Sequence, residues 1–226
     1  MFGLGCVKIR SLQHLAASID CTTAMLHLQN LHFTYPATPG QPLFNGLSAH
    51  LPAGVTLVCG GDGCGKSTLL RLMAGALQPS AGQVVMTTAD RAQVFWMDPR
   101  SEAVNAALND VVVQTYFDSL APRWPALDAA WLAELTEALG LQPHLHKPMF
   151  MLSTGSRRKV LLAAGLASGA AVTLLDEPFA ALDAPSIRCV TAALGRAAAQ
   201  PHRVCVIADY QAPPGVPLAS VITLGR

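Results

Sequence analysis

A chain of 226 residues can bury the core of one large domain. A formal charge of +1 with only 13% charged side chains leaves no dominant basic face, so nucleic acid is not an expected partner. Hydrophobic residues make up 51% of the chain, much of it alanine, yet no run reaches the roughly 20 apolar residues that span a bilayer; the surplus implies a dense core or a face that docks on another protein.

Residues 1–24 carry Lys8 and Arg10 beside a short, interrupted apolar stretch that lacks the continuous core of a signal peptide. They read as a disordered extension, or as sequence upstream of a true start at Met25. From Leu26 to Tyr35 apolar and polar residues alternate, as in a half-exposed strand, until the turn-rich segment 36–42. Val55 to Cys59 is a short apolar run suited to a buried parallel strand.

That run opens into Gly60-Gly-Asp-Gly-Cys-Gly-Lys-Ser67, a strand, loop and helix context for binding phosphate. Gly60, Gly61, Gly63 and Gly65 allow the loop to turn several N–H groups inward on one anion. Lys66 is placed to reach the β- and γ-phosphates of a nucleotide, and Ser67 opens a helix, expected to run to about Ala74, with its hydroxyl available to Mg²⁺. Cys64, within the loop, is expected to react with alkylating agents unless a bound nucleotide covers it, whereas Cys59 and Cys205 are expected to be buried and inert. The six cysteines form no CxxC pair, which excludes a zinc ribbon or dithiol redox motif and fits a reducing compartment.

After a second turn at residues 78–82, segments 83–87 and 93–97 read as strands. The pattern then turns helical. Ala103 to Leu120 is expected to form one helix, and Asp128 to cap another carrying Trp131, Leu132, Leu135 and Leu139 before Gly140 ends it. A helix over 156–167 is followed by two apolar runs, Val172 to Leu175 and Val204 to Ala208, that suit buried parallel strands. The fold class is α/β. Leu174-Leu-Asp-Glu-Pro178 sets two carboxylates at the carboxyl end of a strand, the edge where ligands bind in open α/β sheets. Asp176 suits Mg²⁺, and Glu177 can polarise a water for in-line attack on a γ-phosphate. His144-Leu-His146 has no third metal ligand nearby and reads as a solvated loop.

Taken together the motifs resemble those of the nucleotide-binding subunits of the ATP-binding cassette (ABC) family. Leu152-Ser-Thr-Gly-Ser156, followed by Arg157-Arg-Lys-Val160, is similar to the family signature LSGGQ, and Ala181-Leu-Asp183 to its D-loop. The resemblance runs from about residue 26 to 226. It implies a P-loop core with a mostly parallel sheet, an N-terminal antiparallel β subdomain and a helical insertion at about 101–165. It implies ATP and Mg²⁺ as cofactors: Tyr35 against adenine, Gly60, Gly61, Asp62, Gly63, Cys64, Gly65, Lys66, Ser67 and Thr68 around the phosphates, Ser67 and Asp176 at the metal, and Lys66 and Glu177 in catalysis. It further implies a homodimer or heterodimer in which Ser153, Thr154, Gly155 and Asp183 of one subunit face the ATP held by the other. A separate transmembrane permease on whose cytoplasmic face the protein sits completes the implied assembly.

Three positions depart from the family pattern. Met97 stands where the Q-loop has glutamine, Asp209 where the switch has histidine, and Ser156 where the signature ends in glutamine. A thioether is a poor ligand for Mg²⁺, and a carboxylate repels phosphate. Losing one positioned donor costs about 10²–10³ in rate. A slow but working transporter ATPase is therefore expected, with a weakly hydrolysing, ATP-dependent dimerisation module as the alternative. A small-molecule P-loop kinase shares the loop but not the signature.

Overall fold

The computed structural model describes residues 25–87, 94–98 and 101–225; the extension at 1–24 and residue 93 lie outside them. In chain order the elements are β1 (Met25–Phe33), β2 (Phe44–Leu51), β3 (Gly54–Cys59), α1 (Lys66–Met73), β4 (Ala81–Thr87) and β5 (Val94–Met97). Then follow α2 (Glu102–Leu108), α3 (Val113–Asp118), α4 (Leu120–Arg123), α5 (Ala129–Ala138) and α6 (Thr154–Ala167). The chain closes with β6 (Val172–Asp176), α7 (Ala184–Ala198), β7 (Val204–Ala208) and β8 (Leu218–Thr223).

Five strands form a parallel sheet in the order β5-β6-β7-β3-β8, and three form an antiparallel sheet in the order β2-β1-β4. Every residue of β6 and β7 is buried, because helices or the second sheet cover both faces of these central strands, and so they read as unbroken apolar runs. On one face Leu69, Leu70 and Met73 of α1, with Leu26, Leu28 and Leu51 of the antiparallel sheet, pack on Val58, Leu174 and Val206. On the other, Trp131 and Leu135 of α5, Leu162 and Leu166 of α6 and Leu194 of α7 pack on Leu57, Leu175 and Ile207. Gly165 lets α6 lie tightly on β5, since a Cβ there would stand 2.7 Å from Phe95 Cε1.

Arg203 is a buried charge, 3% exposed. It donates to the carbonyls of Gly165 (2.6 Å) and Leu166 (2.5 Å) in the last turn of α6 and to Thr173 Oγ1 (2.7 Å), so the orphan acceptors of the helix end are met by a side chain.

Two expectations change. The helix expected over Ala103 to Leu120 is broken into α2, α3 and the start of α4. Its Val111-Val-Val113 run is β-branched and is drawn into pairing with the segment ahead of α6: Met149 N donates to Val111 O (2.9 Å), Phe150 N to Asn109 O (2.9 Å), and Val112 bridges Pro148. Strand β2 follows the turn at 36–42 without having been expected there. The cap at Asp128 is present, its carboxylate accepting from Trp131 N at 2.8 Å.

Candidate functional site

The parallel register decides the layout. Val58 pairs with Ala208, and Ala208 with Asp176, so the exits of β3, β7 and β6 lie in one row along the carboxyl edge of the sheet. The glycine-rich loop leaves β3, Asp209 leaves β7, and Glu177 leaves β6. Two strand spacings, about 10 Å, separate the loop's strand from the acid strand, a gap that a triphosphate and its metal can bridge.

Within the loop, Gly60 is required by close approach: a Cβ there would stand 2.3 Å from Leu224 O, which follows β8. Gly65 caps α1 with φ 102°, a left-handed conformation that strains other residues. Lys66, only 7% exposed, donates through Nζ to the carbonyls of Gly60 (2.7 Å) and Gly61 (2.9 Å). Thr68 accepts or donates a 2.7 Å hydrogen bond with the Tyr35 hydroxyl, and the Tyr35 ring packs edge-on against Phe33 with centroids 4.9 Å apart. The structure thus brings Tyr35 to the loop. Cys64 and Cys59 are both half-buried, so Cys59 is more accessible than expected, while burial pushes the Cys205 thiol up to about 11.

Asp176 is 2% exposed at the end of β6. Glu177 takes a left-handed φ of 48°, uncommon outside glycine, and is pinned on both sides: its N–H donates to Ala208 O (2.9 Å) and its carbonyl accepts from Arg158. The next turn is held by the first turns of α6. A Cβ on Gly155 would lie 2.5 Å from Ala181 O, Ala181 itself has φ 60°, and Lys159 pairs with Asp183 at 2.7 Å. The Lys159 hydrogen bond, with that from Ser186, holds the Asp183 carboxyl well below the usual carboxylate range. At the tip Ser153 and Thr154 are exposed; Ser153 Oγ caps α6 by accepting from Ser156 N (3.1 Å) and donates to Ser156 Oγ (3.0 Å).

Met97 and Asp209, expected to depart from the family pattern, differ in placement. Met97, 2% exposed, packs in the core with Phe95, and the next residue, Asp98, is paired with Arg71 of α1 at 3.2 Å. A thioether there serves packing. Asp209 lies at the row of strand exits: its N–H donates to Val58 O (3.0 Å) and its Oδ1 accepts from Tyr210 N (2.7 Å). Burial pushes its carboxyl up, the Tyr210 N–H draws it down, Glu177 pushes it up again, and Lys66 draws it down. Sequence reasoning missed Arg158, which buttresses Glu177, and Tyr210, whose hydroxyl donates to Asp62 Oδ1 at 2.5 Å. Arg158 was visible only as one of three consecutive basic residues; nothing local marks Tyr210.

Residues 44–180 match the ABC transporter family. The chain belongs to that family. Across 157 residues it is 34% identical to the cytochrome c biogenesis ATP-binding export protein CcmA of Pseudomonas syringae pv. syringae, over 66% of this chain and 72% of the relative. Across 163 residues it is 34% identical to the aliphatic sulfonates import ATP-binding protein SsuB 1 of the same organism, over 70% of this chain and 63% of the relative. A bacterial Atm1-family ABC exporter, solved with ATP bound, shares the fold at a TM-score of 0.70 and 18% identity over 97% of this chain, which spans 40% of the exporter's. The chain is an ABC-type ATP-binding subunit and ATPase, with the expected α/β fold of a parallel sheet, an antiparallel sheet and inserted helices. Among the described residues no helix is long and apolar enough to cross a membrane.

Proposed function

We propose that this chain binds MgATP in the loop Gly60–Thr68 and hydrolyses it with Glu177 as the base, in a head-to-tail dimer that moves a separate permease from its cytoplasmic side. The observation that supports this most is the row of strand exits, which sets the loop, Asp209 and the Asp176-Glu177 pair on one sheet edge. Lys66 turns from the loop carbonyls to the β- and γ-phosphate oxygens and carries their charge. Ser67 at the start of α1 and Asp176 at the end of β6 offer oxygen donors, the chemistry that suits Mg²⁺. Mg²⁺, held there by Ser67 and Asp176, would supply positive charge that offsets the charge developing on the phosphoryl group. Glu177 accepts the proton of the attacking water, while Arg158 and the Ala208 carbonyl fix the backbone from which it projects.

Ser153, Thr154, Gly155 and Asp183 are proposed to face the ATP of the second subunit, where the exposed N-terminus of α6 meets its γ-phosphate. For the permease, Phe150 and Met151 are 55% and 61% exposed just ahead of α6, and a cavity of about 370 Å³ lined by Asn105, Leu152, Thr154, Arg157, Arg158 and Leu161 lies where the inserted helices meet α6. Exposed apolar side chains suit a docking partner. The proposal covers the coupling reaction, which import and export share.

The test is phosphate release by the purified protein with and without the membrane protein that co-purifies with it, stimulation being the expected result. Calorimetry that registers no MgATP would sink the reading. A mapping experiment locates the site: at ten times Kd, MgATP should slow N-ethylmaleimide labelling of Cys64 about tenfold by mass action, with peptide mass spectrometry as the readout. Equal labelling with and without nucleotide would remove the loop from the site.

Asp209 favours a second reading, an ATP-driven dimerisation module with little turnover, because a half-buried carboxylate beside Glu177 offers no donor to phosphate. Asp209→His tests whether this carboxylate limits turnover. Restoring a donor should raise turnover at least about tenfold; unchanged phosphate release would mean that position 209 does not limit the rate.

A further inference from the structure

Tyr210 lies outside the loop motif, yet it grips two of the motif's residues. Its hydroxyl donates to Asp62 Oδ1 at 2.5 Å, a length typical of a hydrogen bond to a charged oxygen. The face of its ring lies 4.3 Å from Lys66 Nζ, within cation–π range. An ammonium has three donors, and Lys66 already gives two to the carbonyls of Gly60 and Gly61. To engage a triphosphate, Lys66 must give up part of this set.

The anchoring of Tyr210 suits a movable part. It follows Asp209, whose N–H is fixed to Val58 O of the strand that feeds the loop and whose Oδ1 accepts from Tyr210 N. The base of Tyr210 is therefore fixed relative to the loop. Its side chain, by contrast, is 54% exposed, and swinging it outward opens no core. The aromatic ring also lies over the Lys66 ammonium, which a phosphate group would seek.

Resting on the reading that the loop binds ATP, we propose that Tyr210 is a latch across the phosphate site: it holds Lys66 and Asp62 in the loop, ATP must displace it, and it thereby sets the ATP concentration at which the subunit responds. The hydroxyl and the ring contribute separately, so they can be removed in turn. Tyr210→Ala removes both contacts and should tighten MgATP binding at least about fivefold, the lower end for one exposed cation–π contact with an added hydrogen bond. Tyr210→Phe keeps the ring and should fall between the variant and the wild type.

A second readout follows the latch itself. The chain has only three tyrosines, so 3-fluorotyrosine labelling gives three fluorine resonances, with Tyr210 identified by its loss in Tyr210→Phe. MgATP should shift that resonance in the wild type, with its half-point at the calorimetric Kd. Wild-type binding with an unmoved Tyr210 resonance, or Tyr210→Ala binding MgATP no more tightly than the wild type, would overturn the latch and leave the ATP site standing. Weaker binding in Tyr210→Ala would overturn it too, making the ring a holder of nucleotide. A wild-type protein that takes up no MgATP would overturn the site and the latch with it.

Discussion

Glu177→Gln should leave MgATP binding within about threefold of the wild type and lower turnover by about 10²–10⁴, the range a positioned general base contributes. The substitution is close to isosteric, and the features that hold residue 177 in place belong to the backbone: the hydrogen bond from its N–H to Ala208 O, the one its carbonyl receives from Arg158, and its left-handed φ of 48°. A glutamine therefore sits where the glutamate sat, without the basic oxygen. Loss of turnover with affinity retained would assign Glu177 to chemistry. Phosphate release and calorimetry on the same preparation give both numbers. A wild type that releases phosphate no faster than Glu177→Gln would favour the dimerisation module instead, since Asp209 would then already have removed the catalytic step.

Arg203→Met should destabilise the fold by about 3 kcal/mol, the scale of leaving buried hydrogen-bond acceptors without donors. For a chain of this size that lowers Tm by roughly 6–12 °C. Arg203 is 3% exposed, and its guanidinium serves the carbonyls of Gly165 and Leu166, Thr173 Oγ1 and, at 3.3 Å, Gln200 Oε1. Methionine fills similar volume but leaves the acceptors of the last helical turn buried without donors. Thermal unfolding followed by circular dichroism is the measurement. A change in Tm below about 2 °C would show that the buried acceptors find other partners. ATP affinity of the folded variant should be unchanged, because Arg203 lies at the far end of α6 from Ser153.

The loop, the acid strand and the buried strands were legible because each is written in consecutive residues: glycine spacing, a carboxylate pair after apolar residues, and unbroken apolar runs that only a strand covered on both faces tolerates. What stayed hidden depends on partners distant in the chain. Strand β2 reads Phe-Asn-Gly-Leu-Ser-Ala-His-Leu, whose Asn-Gly pair signals a turn, and Gly46 does take φ 79°. Its pairing with β1 overrides that signal. The break between α2 and α3 comes from strand-like contacts to residues 148–150, which no helical period foretells. Asp209 could be aligned with a motif position, but its closeness to Glu177 and Lys66, and the grip of Tyr210 on the loop, exist only once β7 lies between β6 and β3.

Three successive ties run from the start of α6 to the stretch after the acid strand: Gly155 against the Ala181 carbonyl, Arg158 to the Glu177 carbonyl, and Lys159 to Asp183. A force on the exposed tip at Ser153 would reach Glu177 through a few stiff contacts. Should a second subunit's nucleotide press there, each half of the pair would feel whether its counterpart is loaded, and the two engines would be obliged to fire in step.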